Sequence, residues 1–204
     1  MGALAALHMV HTRINSFFLS IGRNVAWVLM ALMVVVILMQ VFYRYVLNSP
    51  LSWPEEASLS LMIWMMGLMA PSAYRWGGFV AIDLLSEALP KWPRFALTMA
   101  LMLVATGVSW FLLREAWTHF SSPILFNSSG LNRLVQDSGI NQLLGTNIEF
   151  RAAYIYLGMV ACFVMLLSVN IELIIRKLGH TFGDPEQFPN PTPPSYMASG
   201  AGAE

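Results

Sequence analysis

Charge is scarce in this sequence. Lys and Arg together number 11 and Asp and Glu 11 among 204 residues, so charged side chains make up 11% of the chain, against about 25% in a typical soluble domain. A soluble fold of this size has too little charge here to solvate its surface, and the mean hydropathy of +0.61 agrees. The two signs balance, and no basic run gathers into a nucleic-acid footprint. Cysteine is nearly absent: Cys162 stands alone in an apolar stretch. That excludes an internal disulfide and a CxxC pair, and with them a membrane thiol-exchange enzyme. His8, His11, His119 and His180 all avoid the middle of an apolar segment, which excludes bis-histidine haem held at mid-depth. No HExxH spacing occurs either.

What the chain does have is long uncharged runs separated by short charged ones. Crossing a hydrocarbon core of about 30 Å takes roughly 20 apolar residues at a rise of about 1.5 Å each. Four stretches meet that length, at about 25–43, 55–74, 95–113 and 152–175. Helix is the expected form, because an open strand leaves backbone groups unpaired in lipid. The expected fold class is therefore all-α, an integral membrane protein with four transmembrane helices plus amphipathic interfacial helices. The first run ends at Gln40-Val-Phe-Tyr-Arg44 without a small-residue cleavage site, so it reads as a retained anchor.

The connections have their own pattern. In the segment 1–24, Ile14, Phe17, Phe18 and Ile21 share one face, predicting an amphipathic helix in the membrane interface. Phe79, Ile82, Leu85 and Leu89 share a face in the same way between the second and third runs. The longest loop, 116–151, contains LNRLVQDSGINQLL, which predicts a short surface helix. The membrane domain spans 25–178, and the Pro- and small-residue-rich 179–204 reads as a disordered tail. With the N-terminus inside, the cytoplasmic side holds Arg13, Arg23, Arg75, Lys91, Arg94, Arg176 and Lys177, and the other side Arg44, Arg114, Arg133 and Arg151. Basic residues favour the inside, so both termini are expected in the cytoplasm.

The densest polar cluster is QVFYRYVLNSPLSWPEEASLSLMIW, between the first two runs. Ser52-x-x-Glu55 forms a capping box with Pro54 in the first turn, predicting that the second helix starts at Ser52. Glu55 and Glu56 then lie at its positive end. Arg44 closes the first helix, within expected reach of Glu55 or Glu56, and such a pair locks the hairpin. Ordinary charges at a membrane boundary are the alternative. A catalytic carboxylate pair is a third reading, against which neighbouring helical glutamates point about 100° apart.

The stretch Arg44-Tyr-Val-Leu-Asn48-Ser-Pro-Leu-Ser-Trp53-Pro-Glu55-Glu56 resembles the signature of the small membrane subunits of tripartite ATP-independent periplasmic (TRAP) transporters, the DctQ-like family. There an Arg-Tyr-x-x-Asn precedes a Trp-x-Glu-Glu that opens the second helix. The resemblance continues through Gly67 and Arg75-Trp-Gly77-Gly-Phe-Val-Ala-Ile-Asp83, with Phe79 where a histidine is common and Ala81 where a polar or basic residue is common. It is strongest over 23–90, and the four-helix layout extends it to about 178.

The resemblance implies a non-enzymatic scaffold. Its partners are a large membrane subunit, which carries the substrate and Na+ sites and moves as an elevator, and a periplasmic protein that binds small carboxylate-type solutes. It implies structural or interface roles for Arg44, Asn48, Trp53, Glu55, Glu56, Arg75 and Asp83. No catalytic, metal or cofactor residues are implied for this chain, and the location is the bacterial inner membrane. Specificity rests with the other two subunits.

The residues read alone agree with a scaffold. Intramembrane ionisable groups mark transport paths, and this chain has almost none at depth. Gln40 and Asn170 are the deepest strongly polar side chains, each expected to bond a neighbouring helix, and Glu172 has Arg176 four residues on. Gly67, Gly107 and Gly158 allow helices to approach, and Trp64, Met65, Met66 and Met69 give the second helix a bulky surface. Two other classes compete. A self-sufficient homo-oligomeric transporter needs a mid-membrane charge that the sequence lacks. A membrane enzyme would have to work through Glu55, Glu56 or an isolated His119.

Overall fold

A computed structural model of the chain describes residues 2–77, 90–122, 129–137, 153–182 and 188. Every element among them is helical: α1 (Gly2–Tyr45), α2 (Pro54–Gly77), α3 (Lys91–Ser121), α4 (Ser129–Asp137) and α5 (Ala153–Phe182). Four of these, all but α4, are long and apolar enough to cross a membrane, and they cover the four expected runs, the last of them from Ala153. The fold class is as expected.

The helices outlast the apolar runs at several ends. Arg and Lys are good helix formers, so charges at Lys91, Arg94, Arg114 and Glu115 end the hydropathy signal of α3 without ending its hydrogen bonding. For the same reason the first 24 residues are not a separate interfacial helix. No proline interrupts them, and α1 continues unbroken for 44 residues. The face carrying Ile14, Phe17, Phe18 and Ile21 does point outward, exposed. The 78–89 segment, Asp83 included, lies outside the described residues.

The second helix begins at Pro54, two residues later than the capping box implies. The Ala57 N–H closes the first turn on the Trp53 carbonyl at 3.0 Å, which places Pro54 at the first helical position, where its missing N–H costs nothing. In the loop region, α3 runs on to Ser121, and the first half of the expected surface helix forms as α4, with Leu131 buried rather than exposed, while 138–144 lies outside the described residues. The expected tail does not begin at 179, because α5 continues to Phe182. Beyond it Phe188 is buried, and 183–187 and 189–204 lie outside the described residues.

Helix α5 is the hub. It touches α1, α2 and α3, whereas α1 pairs chiefly with α2. Leu19 of α1, Met102 of α3 and Val169 and Leu173 of α5 form one buried cluster, flanked by Tyr74 of α2. Around the hairpin, Val36, Ala57 and Leu131 form a second, flanked by Trp53 and Leu61. Helices α2 and α5 meet at glycine: a Cβ on Gly67 would fall 2.6 Å from the Gly158 carbonyl oxygen. Small residues allow this approach where lipid offers no hydrophobic drive to association. Gly107 is different, because a Cβ there would meet nothing within 4 Å. It faces open space.

Candidate functional site

The polar residues of α1 lie on the face opposite its outward aromatics. His8, Asn15, Leu19, Gly22 and Ala26 are buried along it, at spacings of three, four and seven that keep them on one side of a helix. In water a polar face turns outward. In lipid it turns inward, because only neighbouring helices can satisfy it.

The inward face meets the last turn of α2 and the second half of α5. Arg75 of α2 forms an ion pair with Glu172 of α5, the side chains 1% and 0% exposed. Its Nη2 donates to Glu172 Oε1 at 2.5 Å and its Nε to the same oxygen at 3.1 Å. Glu172 Oε2 accepts from Asn15 Nδ2 at 2.7 Å. Arg75 Nη1 donates to Ser16 Oγ at 2.9 Å, and Nη2 also reaches the Thr12 carbonyl at 3.5 Å. Ser168 Oγ donates to Asn15 Oδ1 at 2.6 Å, while His11 Nε2 lies 3.1 Å from the Ser168 carbonyl oxygen. Nearby, Tyr74 Oη donates to Asn170 Oδ1 at 2.6 Å. Three helices are joined at one depth.

That depth is set by length. From Glu56 to Arg75 on α2, and from Ala153 to Glu172 on α5, about 20 residues intervene, roughly the hydrocarbon thickness. The pair thus lies about one hydrocarbon thickness along each helix from the Glu56 end of the bundle. Burying an ion pair is unfavourable unless its remaining lone pairs and protons are satisfied. Here Glu172 has a donor on each oxygen and Arg75 uses three nitrogens. Such a network fixes helix register. A carboxylate so occupied is poorly suited to carry a proton or bind a solute.

Helical spacing pairs Glu172 with Arg176, but in the structure its ion pair is with Arg75. The expectation for Asn170 holds, in its bond to Tyr74. Asn15, Ser16, His11 and Ser168 were missed by sequence reasoning. Their signal was the small and polar stripe opposite Ile14, Phe17, Phe18 and Ile21.

At the other end of the bundle the hairpin is built differently from the expected lock. Among the described residues Arg75–Glu172 is the ion pair present. Arg44 is exposed, its guanidinium 5.9 Å from the centre of the Tyr45 ring. Neither glutamate pairs with it, because Glu56 turns to α4: its Oε2 accepts the Gly130 N–H at 3.0 Å and the Leu131 N–H at 3.4 Å. A carboxylate from one helix thus caps the positive end of another. Glu55 is exposed, and its carbonyl accepts from Ser58 Oγ at 2.9 Å. Trp53 packs on the Val36, Ala57 and Leu131 cluster. Asn48 takes φ 49°, the single positive φ outside glycine among the described residues. Asparagine tolerates this left-handed conformation better than other side chains. It turns the chain out of α1, and the Ser49 N–H bonds back to the Tyr43 carbonyl at 3.1 Å.

The model of one family matches residues 33–172, that of the DctQ component of tripartite ATP-independent periplasmic transporters. The chain belongs to the DctQ family. No curated protein matches it significantly. DctQ proteins are the small membrane component of TRAP transporters, working with a large membrane subunit and a periplasmic binding protein, and are not enzymes. The DctQ match takes in the Asn48 turn, Glu56, Arg75 and Glu172. The α1 half of the network, from His8 to Ser16, precedes it.

Proposed function

We propose that this DctQ-family chain is the fixed scaffold subunit of a sodium-coupled importer of small carboxylate-type solutes. The large membrane subunit carries the substrate and Na+ sites, and a periplasmic protein delivers the solute. The observation behind this reading is the Arg75–Glu172 pair. The buried Arg75 and Glu172 side chains are spent on one another and on Asn15, Ser16 and Thr12, in a network that fixes helices and occupies both oxygens of Glu172. A broad exposed apolar surface on α1 and α3, including Trp27, Leu38, Val104 and Trp110, suits lipid and a membrane partner.

The reading places the protein in the bacterial inner membrane. Seven basic residues against four favour both termini in the cytoplasm, so that the Arg75–Glu172 network lies at the cytoplasmic side. The Asn48 turn and α4 then face the periplasm.

The test is co-purification from the native host. The tagged chain is drawn from gently solubilised membranes, and stoichiometric partners are identified by mass spectrometry. A much larger multi-helix membrane protein supports the reading, and solute uptake reconstituted with that partner and the binding protein then identifies the cation and the substrate. A lone homo-oligomer, recovered from cells that express all three components, overturns it in favour of a self-sufficient transporter.

A further inference from the structure

A groove of about 360 Å³ runs along the outer side of the α1–α2 pair, between Ala26, Trp27 and Met30 on one wall and Met65, Met69 and Ala73 on the other. The alanines leave the space, and the methionines shape it with deformable thioether chains. Apart from the Trp27 indole, no lining side chain carries a nitrogen or an oxygen. From Met65 to Ala73 the groove covers about 12 Å of α2, most of one leaflet of a hydrocarbon core about 30 Å thick. Volume and length together give a cross-section of about 30 Å², well below the roughly 80 Å² of a helix about 10 Å across. Carbon atoms pack about 4 Å apart, so a single hydrocarbon chain fits where a helix does not.

Arg23 stands at one end of the groove. It shares a face of α1 with Ala26, Trp27 and Met30, at spacings of three, four and seven, and it is half-buried. Its Nη1 donates to Ser72 Oγ of α2 and its Nη2 to Ser20 Oγ, each at 3.5 Å. Ser72 adjoins Ala73, so the guanidinium reaches across the helix pair where the groove ends. The next charge along α1 is Arg44, about 30 Å further on, or one hydrocarbon thickness. An arginine with a tryptophan one turn deeper is a combination suited to the membrane–water boundary.

We propose that this groove is a phospholipid site, with one acyl chain lying between α1 and α2 and the lipid phosphate on Arg23. A guanidinium carries five N–H donors in a planar fork, and the fork matches the oxygens of a phosphate. Arg23 can therefore serve two serines and an oxyanion together, while Ser20 and Ser72 hold it at the groove. The acyl chain gains little by exchanging lipid for an apolar wall. The phosphate contact supplies the preference, and a lipid without a phosphate has little reason to stay.

The experiment uses the purified full-length chain alone, so its outcome is independent of the scaffold reading. Phosphatidylglycerol, diacylglycerol with the same chains and inorganic phosphate are titrated separately in mild detergent, and retained adducts are counted by native mass spectrometry. The wild type is expected to keep one phosphatidylglycerol after the micelle is stripped, and to lose diacylglycerol with the micelle. Arg23→Ala is expected to weaken retention about tenfold or more, the scale of one charge-assisted hydrogen bond. Ala70→Phe fills the groove and keeps the charge, and is expected to give the same loss. Arg13→Ala removes an exposed charge elsewhere on α1 and is expected to leave retention unchanged. Diacylglycerol held as well as phosphatidylglycerol overturns the proposal, and so does inorganic phosphate that displaces the lipid. Equal losses in the Arg13 and Arg23 variants would mean general attraction of anions, with the same consequence. A wild-type chain that keeps no lipid, or pairs with a second copy once stripped, leaves the groove to a protein surface and overturns it as well.

Discussion

Arg75 and Glu172 lie 97 residues apart in the chain, and both nitrogens that bind the carboxylate reach the same oxygen, Oε1. The other oxygen is thereby left for Asn15, which makes a pairwise bridge into a three-helix joint. Removing one partner strands the other's charge in a buried site, at a cost of about 3–5 kcal/mol. Arg75→Met and Glu172→Leu are each expected to lower the melting temperature of the detergent-solubilised protein sharply. The double variant, which buries no charge, is expected to recover much of the loss. A double variant as unstable as the two losses added together would show that the residues do not act as a pair.

Gly67 and Gly107 offer an internal contrast. A methyl group on Gly67 collides with the Gly158 backbone, and overpacking of this kind costs about 1–3 kcal/mol. Gly107→Ala meets open space and relieves the helix of a flexible residue, for a gain of about 0.5–1 kcal/mol. Thermal melts of the two alanine variants are expected to move in opposite directions.

The two adjacent glutamates are predicted to differ. Glu56→Gln weakens the charged cap on α4, at a cost of about 0.5–2 kcal/mol. Limited proteolysis is expected to cut the α4 region faster in that variant. Glu55→Gln, at an exposed position, is expected to cleave at the wild-type rate. Equal cleavage of the two would argue against the cap.

Asn48 is held by backbone geometry. Asn48→Gly is expected to be tolerated, since glycine takes φ 49° freely. Asn48→Val forces a β-branched residue into the left-handed region, at a cost of about 1–2 kcal/mol. Melting of the two variants in detergent separates this account from one in which the amide group itself matters, because the glycine variant would then fail as well.

The sequence conveyed much of the architecture because hydrocarbon thickness and backbone pairing leave few options. The four spans and a helix in the long loop were legible. Partners are harder to read. Local spacing reveals only local pairs and so points Glu172 to Arg176, whereas its bond is to a residue two spans earlier. Proximity along the chain points Arg44 to the glutamates, and the competing N–H groups of Gly130 and Leu131 lie over 70 residues on. The amphipathic start of α1 suggests a helix lying in the interface, its polar face toward water, although a membrane bundle reverses that sense. Arg75 stands out in the sequence as an end charge, without its role.

The unbroken α1 has a mechanical meaning. Its 44 residues make a rod of about 66 Å, roughly twice the thickness of the hydrocarbon it crosses. Asn15, Ser16 and Thr12 bolt it to α2 and α5 near one end, and Val36 joins the Trp53 and Leu131 cluster toward the other. No proline hinge lies between. A partner that tilts one end of this beam tilts the other, so the two faces of the membrane are geared together through a single helix.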